Sequence, residues 1–373
     1  MGSLRPSISF SVSTWCQSSE AVIGGLLDCW PVLGASVNKE TAERFRRELA
    51  LLHLVDKRRA IEEREDRILI PLVSRPTPEL LDKFGAELLD YDFTGRVPII
   101  DPIEEIRRIA AIPDALKPKL PDKWETFGQV GVIRLEAEMD GHERQIAEAY
   151  ASVLNLKSVL REVGPIRGEF RSPTTKLLVG SDTVATHVEN HIIYKFDAAQ
   201  IMFSSGNQEE RLRMATLKCD GETVLDMFAG IGYFALPLAV YQRPAKVIAC
   251  EVNPVAFDFL RENVHMNKVE RIVEPVLGDN RGLPGTDFAD RIIMGYVKTT
   301  HEFLPAALRM LKSGGIVHYH ETCPNELLPY RPVERLKEAW KGCDVVILRQ
   351  KAIKSYAPGV SHVVVDARVV KSS

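Results

Sequence analysis

The sequence predicts an α/β fold whose C-terminal half is an open, mostly parallel sheet with helices packed on it. Three observations predict it. Between residues 223 and 368, seven short apolar runs alternate with stretches of helical character, and parallel strands joined through helices are the layered solution to that alternation. The run Thr223-Val224-Leu225-Asp226 reads as a strand ending on a carboxylate. It passes at once into Met227-Phe228-Ala229-Gly230-Ile231-Gly232, a glycine-spaced turn entering a helix. About 25 residues on, a second apolar run, 246–250, ends at Glu251. In open α/β sheets such strand ends border the crevice where ligands bind.

Residues 1–36 are Ser-rich, with an apolar patch at 21–27 cut by Asp28, and read as a poorly ordered or appended head. Residues 37–95 read as a small α+β module. Over 39–55, Ala42, Phe45, Leu49 and Leu52 share a helical face. The charge run 56–67 reads as a solvated helix face, and 68–72 as a strand. Proline-rich 96–121 reads as a linker. A second α+β module, 122–207, follows, with strands at 130–135, 159–163, 176–178, 186–189 and 192–196 and a helix at 142–154. From Gln208 a Glu- and Arg-rich helix opens the sheet domain, 208–373. Its strands are expected at 223–226, 246–250, 272–277, 290–294, 315–320, 344–349 and 361–368. Only a loop at Pro358-Gly359 joins the last two, so the final strand is expected to be antiparallel.

A formal net charge of −3 over 373 residues excludes a uniformly basic nucleic-acid binder but not a local basic groove. The six cysteines show no C-x-x-C pair and no metal-like spacing, which suits reduced thiols inside a cell. No apolar run reaches membrane-spanning length. The head lacks a basic n-region and a clean cleavage site, so the cytoplasm is the expected location.

Glycines at 230 and 232 remove Cβ atoms that would block a ligand's approach to the turn. Ala235 holds the third position of a dinucleotide fingerprint, but the Asp226 carboxylate would repel a pyrophosphate. A ligand with a neutral or positive tail, such as S-adenosylmethionine (AdoMet), fits better. Glu251 suits both hydroxyls of a ribose, against the plainer reading of a solvated or capping carboxylate. Asn253 and Pro254 open the next helix as N-cap and first helical residue. After the third strand, Asp279 can accept from an adenine amine while Asn280 donates to a ring nitrogen; an ordinary Asx-turn is the alternative. In 318–321, His318 and His320 share a strand face, but no third metal ligand has evident spacing. Lys351, Lys354, Tyr356 and His362 form a basic and aromatic cluster that can hold phosphates and stack a base, or simply be a solvated edge strand.

With these pieces in order, residues 223–232 resemble motif I of class I AdoMet-dependent transferases, which implies a Rossmann-like, seven-stranded sheet. The wider set 203–213, 226–234, 250–254, 278–281, 294–297, 318–321 and 356–363 resembles one family closely. Its members are the transferases of wybutosine synthesis, which move the 3-amino-3-carboxypropyl group of AdoMet onto 4-demethylwyosine beside the anticodon of tRNA(Phe). The related tRNA guanine-N1 methyltransferases carry a His-Arg-Glu cluster and an Asn-Pro-type motif after the fourth strand. Here His187-Val188-Glu189 and Met294-Gly295-Tyr296-Val297 stand in those places. Loss of the arginine and of the amide favours aminocarboxypropyl transfer over methylation, and a non-catalytic tRNA-binding protein is the reading from another class.

The resemblance implies AdoMet contacts at Phe203, Ser204, Arg211, Asp226, Phe228, Ala229, Gly230, Gly232, Glu251, Val252, Asn253, Asp279, Asn280 and Gly295, with Arg211 pairing the methionine carboxylate. The spacing on its helix offers Arg211 no carboxylate of its own. Tyr296, Lys351, Lys354 and Tyr356 are the expected tRNA contacts, and Glu210, His187 or water the proton acceptor. A monomer acting on the tRNA anticodon loop, without membrane or metal, completes the expectation.

Overall fold

The computed structural model describes residues 32–95, 101–168 and 170–372. The described residues fall into two compact units, 32–95 and 101–372.

In the first unit, β1 (Val32–Asn38), β2 (Glu62–Arg64), β3 (Arg67–Pro71) and β4 (Glu87–Tyr91) make an antiparallel sheet in the order β2-β3-β1-β4. Helices α1 (Lys39–Leu51) and α2 (Pro78–Phe84) cover it. Ala42, Phe45 and Leu49 face inward as their spacing predicts, whereas Leu52 lies past the helix end and is exposed. Two expectations fail here. Residues 32–36 belong to an inner strand of the sheet, not to a loose head. The charge run is not a helix: it holds a turn at Glu65 (φ +51°) and the edge strand β2. An edge strand with water on one side tolerates charge and is protected by it.

The second unit opens where a linker was expected. Helix α3 (Pro102–Ile109) is capped by Asp101 and carries Pro102 in its first turn, the position where proline suits a helix. Ile103 and Ile106 are buried with Ile146 and Tyr150 of α4 (Glu143–Leu154). The prolines therefore punctuate helix starts within a core. Strands β5 (Glu125–Phe127), β6 (Val130–Arg134), β7 (Ser158–Arg167) and β8 (Ser172–Val179) form a sheet in chain order, and α4 carries the parallel crossover from β6 to β7. Next comes the hairpin β9 (Val184–Glu189) and β10 (Ile192–Asp197), then α5 (Gln208–Met214).

The large sheet uses β11 (Thr223–Asp226), β12 (Lys246–Glu251), β13 (Val273–Leu277), β14 (Ala289–Met294), β15 (Leu311–Pro324), β16 (Asp344–Ala357) and β17 (Val360–Val370). Their order is β13-β12-β11-β14-β15-β17-β16, parallel from β13 to β15, with β17 antiparallel to both neighbours, as expected from its loop connection. Side chains alternate across β11, so Val224 and Leu225 enter different cores. On one face α6 (Ala235–Tyr241) and α7 (Pro254–Met266) bury Leu236, Leu238, Leu260 and Val264. On the other, α8 (Leu304–Met310) and α9 (Tyr330–Ala339) bury Leu304, Met310 and Leu336 beside Trp340. The hairpin is fastened to α7 by two amides. Asn263 accepts from Lys195 N (2.7 Å) and donates to the carbonyls of Lys195 and Ile231, while Asn267 bonds both backbone groups of Ile193.

Candidate active site

A cavity of about 460 Å³ opens where β11, β12, β13 and β14 end, the place where a parallel sheet leaves a crevice. The β11 turn forms because Gly230 and Gly232 take φ of +56° and +100°. Gly230 borders the cavity. Gly232 does not: a Cβ there would lie 2.7 Å from Leu236, so its role is packing the turn onto α6.

Glu251 stands at the cavity wall with both oxygens anchored, accepting from Gly230 N (2.7 Å) and Asn253 N (2.8 Å). Burial raises its pKa, and those two amides pull the other way. A carboxylate has about four acceptor positions, so the anchoring leaves capacity for a diol. Val252 and Asn253 line the wall beside it, and Asn253 caps α7 through Val255 N (3.0 Å). Asp279 forms the Asx-turn with Arg281 N (2.9 Å) and pairs with the Arg281 guanidinium, which holds its carboxyl below the usual range. Asn280 is spent differently from the expectation. Its amide nitrogen donates to Met227 O (2.8 Å), pinning the β11 turn, and its buried Oδ1 has no partner among the described residues.

At the end of β14, Gly295 and Tyr296 face the cavity. The Phe234 ring occupies the space beside Gly295: a Cβ there would lie 2.5 Å from it. Tyr296 stacks on Phe228, ring centroids 5.2 Å apart.

Ser204, Arg211, Lys354 and Tyr356 also line the cavity. Arg211 is nearly buried, and its fork grips Glu189 on β9 with two bonds of 2.7 Å while donating to Ser204 O (2.8 Å). Burial would raise the Glu189 carboxyl, but Arg211 more than offsets this and holds it at about 2. The carboxylate missing from the helix thus comes from a strand 22 residues earlier. Three of the five guanidinium donors are committed inside the protein. Phe203 lies beneath Arg211, 4.6 Å from ring centroid to guanidinium carbon, and supports it without reaching the cavity. Lys354 Nζ donates to Ser204 Oγ (2.6 Å), and burial lowers its pKa.

Five more expected site residues lie outside the cavity. Asp226 is fully buried at the foot of the turn, where Phe228 N donates to it (3.2 Å); burial raises its carboxyl to about 7. Ala229 is buried in the core. Lys351 pairs with Glu209 instead of facing the cavity. His187 is packed against Phe127 and Phe203. Glu210 is buried against Arg213. Neither proposed proton acceptor therefore touches the space where a reacting atom would sit. Phe170, Arg171, Met202, Tyr233 and Thr299 also line the cavity, though none was expected as a contact. His318 is also accounted for: Arg291 Nη1 donates to its Nε2 (2.8 Å), so its Nδ1–H donates to Asp366 (2.6 Å). Among the described residues no His, Cys, Asp or Glu group could hold a metal, and no helix is long and apolar enough to cross a membrane.

The strand order and the acidic residues at successive strand ends define a Rossmann-like, class I AdoMet-dependent transferase. Three family models match: the TRM5/TYW2 methyltransferase domain over 185–348, the TYW2 N-terminal domain over 106–183, and the tRNA methyltransferase 5 N-terminal domain over 36–79. A Pyrococcus horikoshii protein named tRNA(Phe) (4-demethylwyosine(37)-C(7)) aminocarboxypropyltransferase is 52% identical over 263 residues, 70% of this chain and 94% of its own length. The chain belongs to the TYW2 family of tRNA-modifying transferases, which is related to Trm5. The solved structure of P. horikoshii TYW2 in complex with MeSAdo is 49% identical with a TM-score of 0.67, covering 73% of this chain and all of that one. That of wild-type Trm5b from Pyrococcus abyssi is 31% identical with a TM-score of 0.66, covering 91% and 99%.

Proposed function

We propose that this enzyme transfers the 3-amino-3-carboxypropyl group of AdoMet to 4-demethylwyosine, 3′ of the anticodon in tRNA(Phe), and releases methylthioadenosine. The observation that carries the reading is the end of β14. Where an amine-methylating site needs an amide side chain, this chain has Gly295, with the Phe234 ring filling the adjacent space. The name of the P. horikoshii relative, and the MeSAdo held by the solved TYW2, support the same reaction.

The cavity residues fit AdoMet. The buried Asn280 Oδ1 lacks a partner among the described residues, and Glu251 retains acceptor capacity after its two backbone bonds. Glu251 would take the ribose hydroxyls, and Asp279 and Asn280 would flank the adenine. Arg211 is largely committed to Glu189, so Lys354 and Arg171 are the cations for the carboxylate of the amino-acid tail. When bound, AdoMet supplies a sulfonium with three electrophilic carbons, and the one held in line with the nucleophile reacts. The protein's task is orientation. The Phe228–Tyr296 stack offers a platform for a base splayed out of the anticodon loop. The N-terminal unit and the module before residue 208 would grip the rest of the tRNA. The enzyme acts as a cytoplasmic monomer.

The test is the small-molecule product formed with tRNA bearing the tricyclic precursor. Methylthioadenosine is expected; adenosylhomocysteine would return the site to guanine-N1 methylation.

A further inference from the structure

The transfer proposed above leaves one atom unassigned. A ring carbon that gains a substituent must lose its proton, and neither Glu210 nor His187 reaches the cavity. Among the described residues one imidazole does: His362 of β17 lines it, next to its cross-strand neighbour Lys354 of β16.

The surrounding groups settle which of its nitrogens is basic. His320 Nδ1 lies 3.0 Å from His362 Nε2, and His320 Nε2 lies 3.7 Å from Glu210 Oε1 with no hydrogen-bond partner among the described residues. A lone pair aimed at that carboxylate would be repelled, so His320 carries its proton on Nε2. Its Nδ1 is then an acceptor, and His362 Nε2–H is the donor between the rings. This leaves the His362 lone pair on Nδ1, which has no hydrogen-bond partner among the described residues. The Phe234 ring stacks on His320 at 5.5 Å and holds the pair in place, and the same ring closes the space beside Gly295.

We propose that His362 Nδ1 accepts the proton released from the acceptor carbon, with His320 as its positioning residue and Glu210 behind it. The inference rests on the transfer reaction given under Proposed function. The acceptor carbon's π pair forms the new bond to the tail carbon next to sulfur, and the C–S pair leaves on sulfur as the neutral thioether. The ring cation then returns its C–H pair to the ring as the proton passes to Nδ1. Burial, then His320 and Lys354, hold His362 at about 3, so the imidazole is neutral in the cell. A neutral acceptor does not repel the sulfonium, and so weak a base suffices because a cationic ring adduct is a strong carbon acid. The charged groups facing it are Lys354 from β16, Arg171 from the β7–β8 loop and Glu210 from α5.

The test compares wild type with His362→Gln and His320→Gln. Readouts are single-turnover transfer of carboxyl-labelled AdoMet, AdoMet affinity, and the isotope effect from deuterium on the acceptor carbon. His362→Gln is expected to keep AdoMet affinity and lose about 100-fold or more in rate, with an isotope effect larger than in wild type; His320→Gln should fall between. Transfer by His362→Gln within threefold of wild type, or a loss matched by lost AdoMet affinity, overturns the assignment alone. No carboxyl transfer by wild type removes the reaction and the assignment together. Nitrogen NMR of histidine-labelled free protein gives an answer without turnover. A neutral His362 protonated on Nε2 is expected, and a proton on Nδ1 overturns the assignment.

Discussion

At the scale of single residues, the site depends on pairings between side chains far apart in sequence. Arg211 and Glu189 are both nearly out of water and satisfy one another. Removing one member of such a pair leaves an uncompensated buried charge. Arg211→Ala is therefore expected to cost about 3–5 kcal/mol, read from denaturant midpoints; an unchanged midpoint would mean that the pair opens in solution. Stability should also depend on pH in two windows of opposite sign. Glu189 is held at about 2 against burial by Arg211, and Asp366 at about 2 against burial by His318. Both pKa values are depressed on folding. Their contribution is present above the unfolded carboxylate pKa, about 4, and is lost as pH falls toward 2. Asp226 is raised by burial to about 7, so it favours the folded state while protonated and weakens it as pH rises from about 4 through 7. Urea midpoints should thus fall toward pH 2. Above pH 4 buried His320 and His362, held at about 3, add stability while Asp226 loses it. The upper limb is therefore read as the Asp226→Asn midpoint minus that of wild type, which should rise from about pH 4 to 7. A difference that stays flat over that range would contradict the burial argument. The positions of Glu251, Asp279 and Gly295 were legible because each follows a recognisable strand. The pairings of Glu189 with Arg211 and of His362 with His320 were not, because nothing local marks a partner 22 or 42 residues away.

At the scale of elements, strands of the large sheet were readable because each is a short apolar run bounded by polar turns. Misreadings came where tertiary context overrides composition. The charged run at 56–67 becomes an edge strand and turns because one side faces water. Pro102 begins a packed helix instead of a linker. Asn263 shows the same limit: within a helix whose apolar stripe was evident, it is the fully buried polar residue that holds the β9–β10 hairpin. Asn263→Ala strands the Lys195 N–H and two carbonyls. Each buried group left unpaired costs about 1–3 kcal/mol, so a loss at least that large is expected in thermal or urea unfolding. A smaller loss would mean that water replaces the amide.

At the scale of the whole molecule, the chain joins a unit matched by the tRNA methyltransferase 5 N-terminal domain to a second unit that contains the entire cavity. The cavity is lined by residues of the second unit, from Phe170 to His362. A fragment of residues 101–373 is expected to fold and bind AdoMet within a few-fold of the full chain in calorimetry. Loss of binding would show that the first unit completes the site. The most direct measurement of the central claim uses AdoMet labelled in the methyl group in one reaction and in the carboxyl carbon in another, each with tRNA carrying 4-demethylwyosine. Carboxyl label in the tRNA and none from the methyl group is the predicted result. Methyl label in the tRNA would contradict the account.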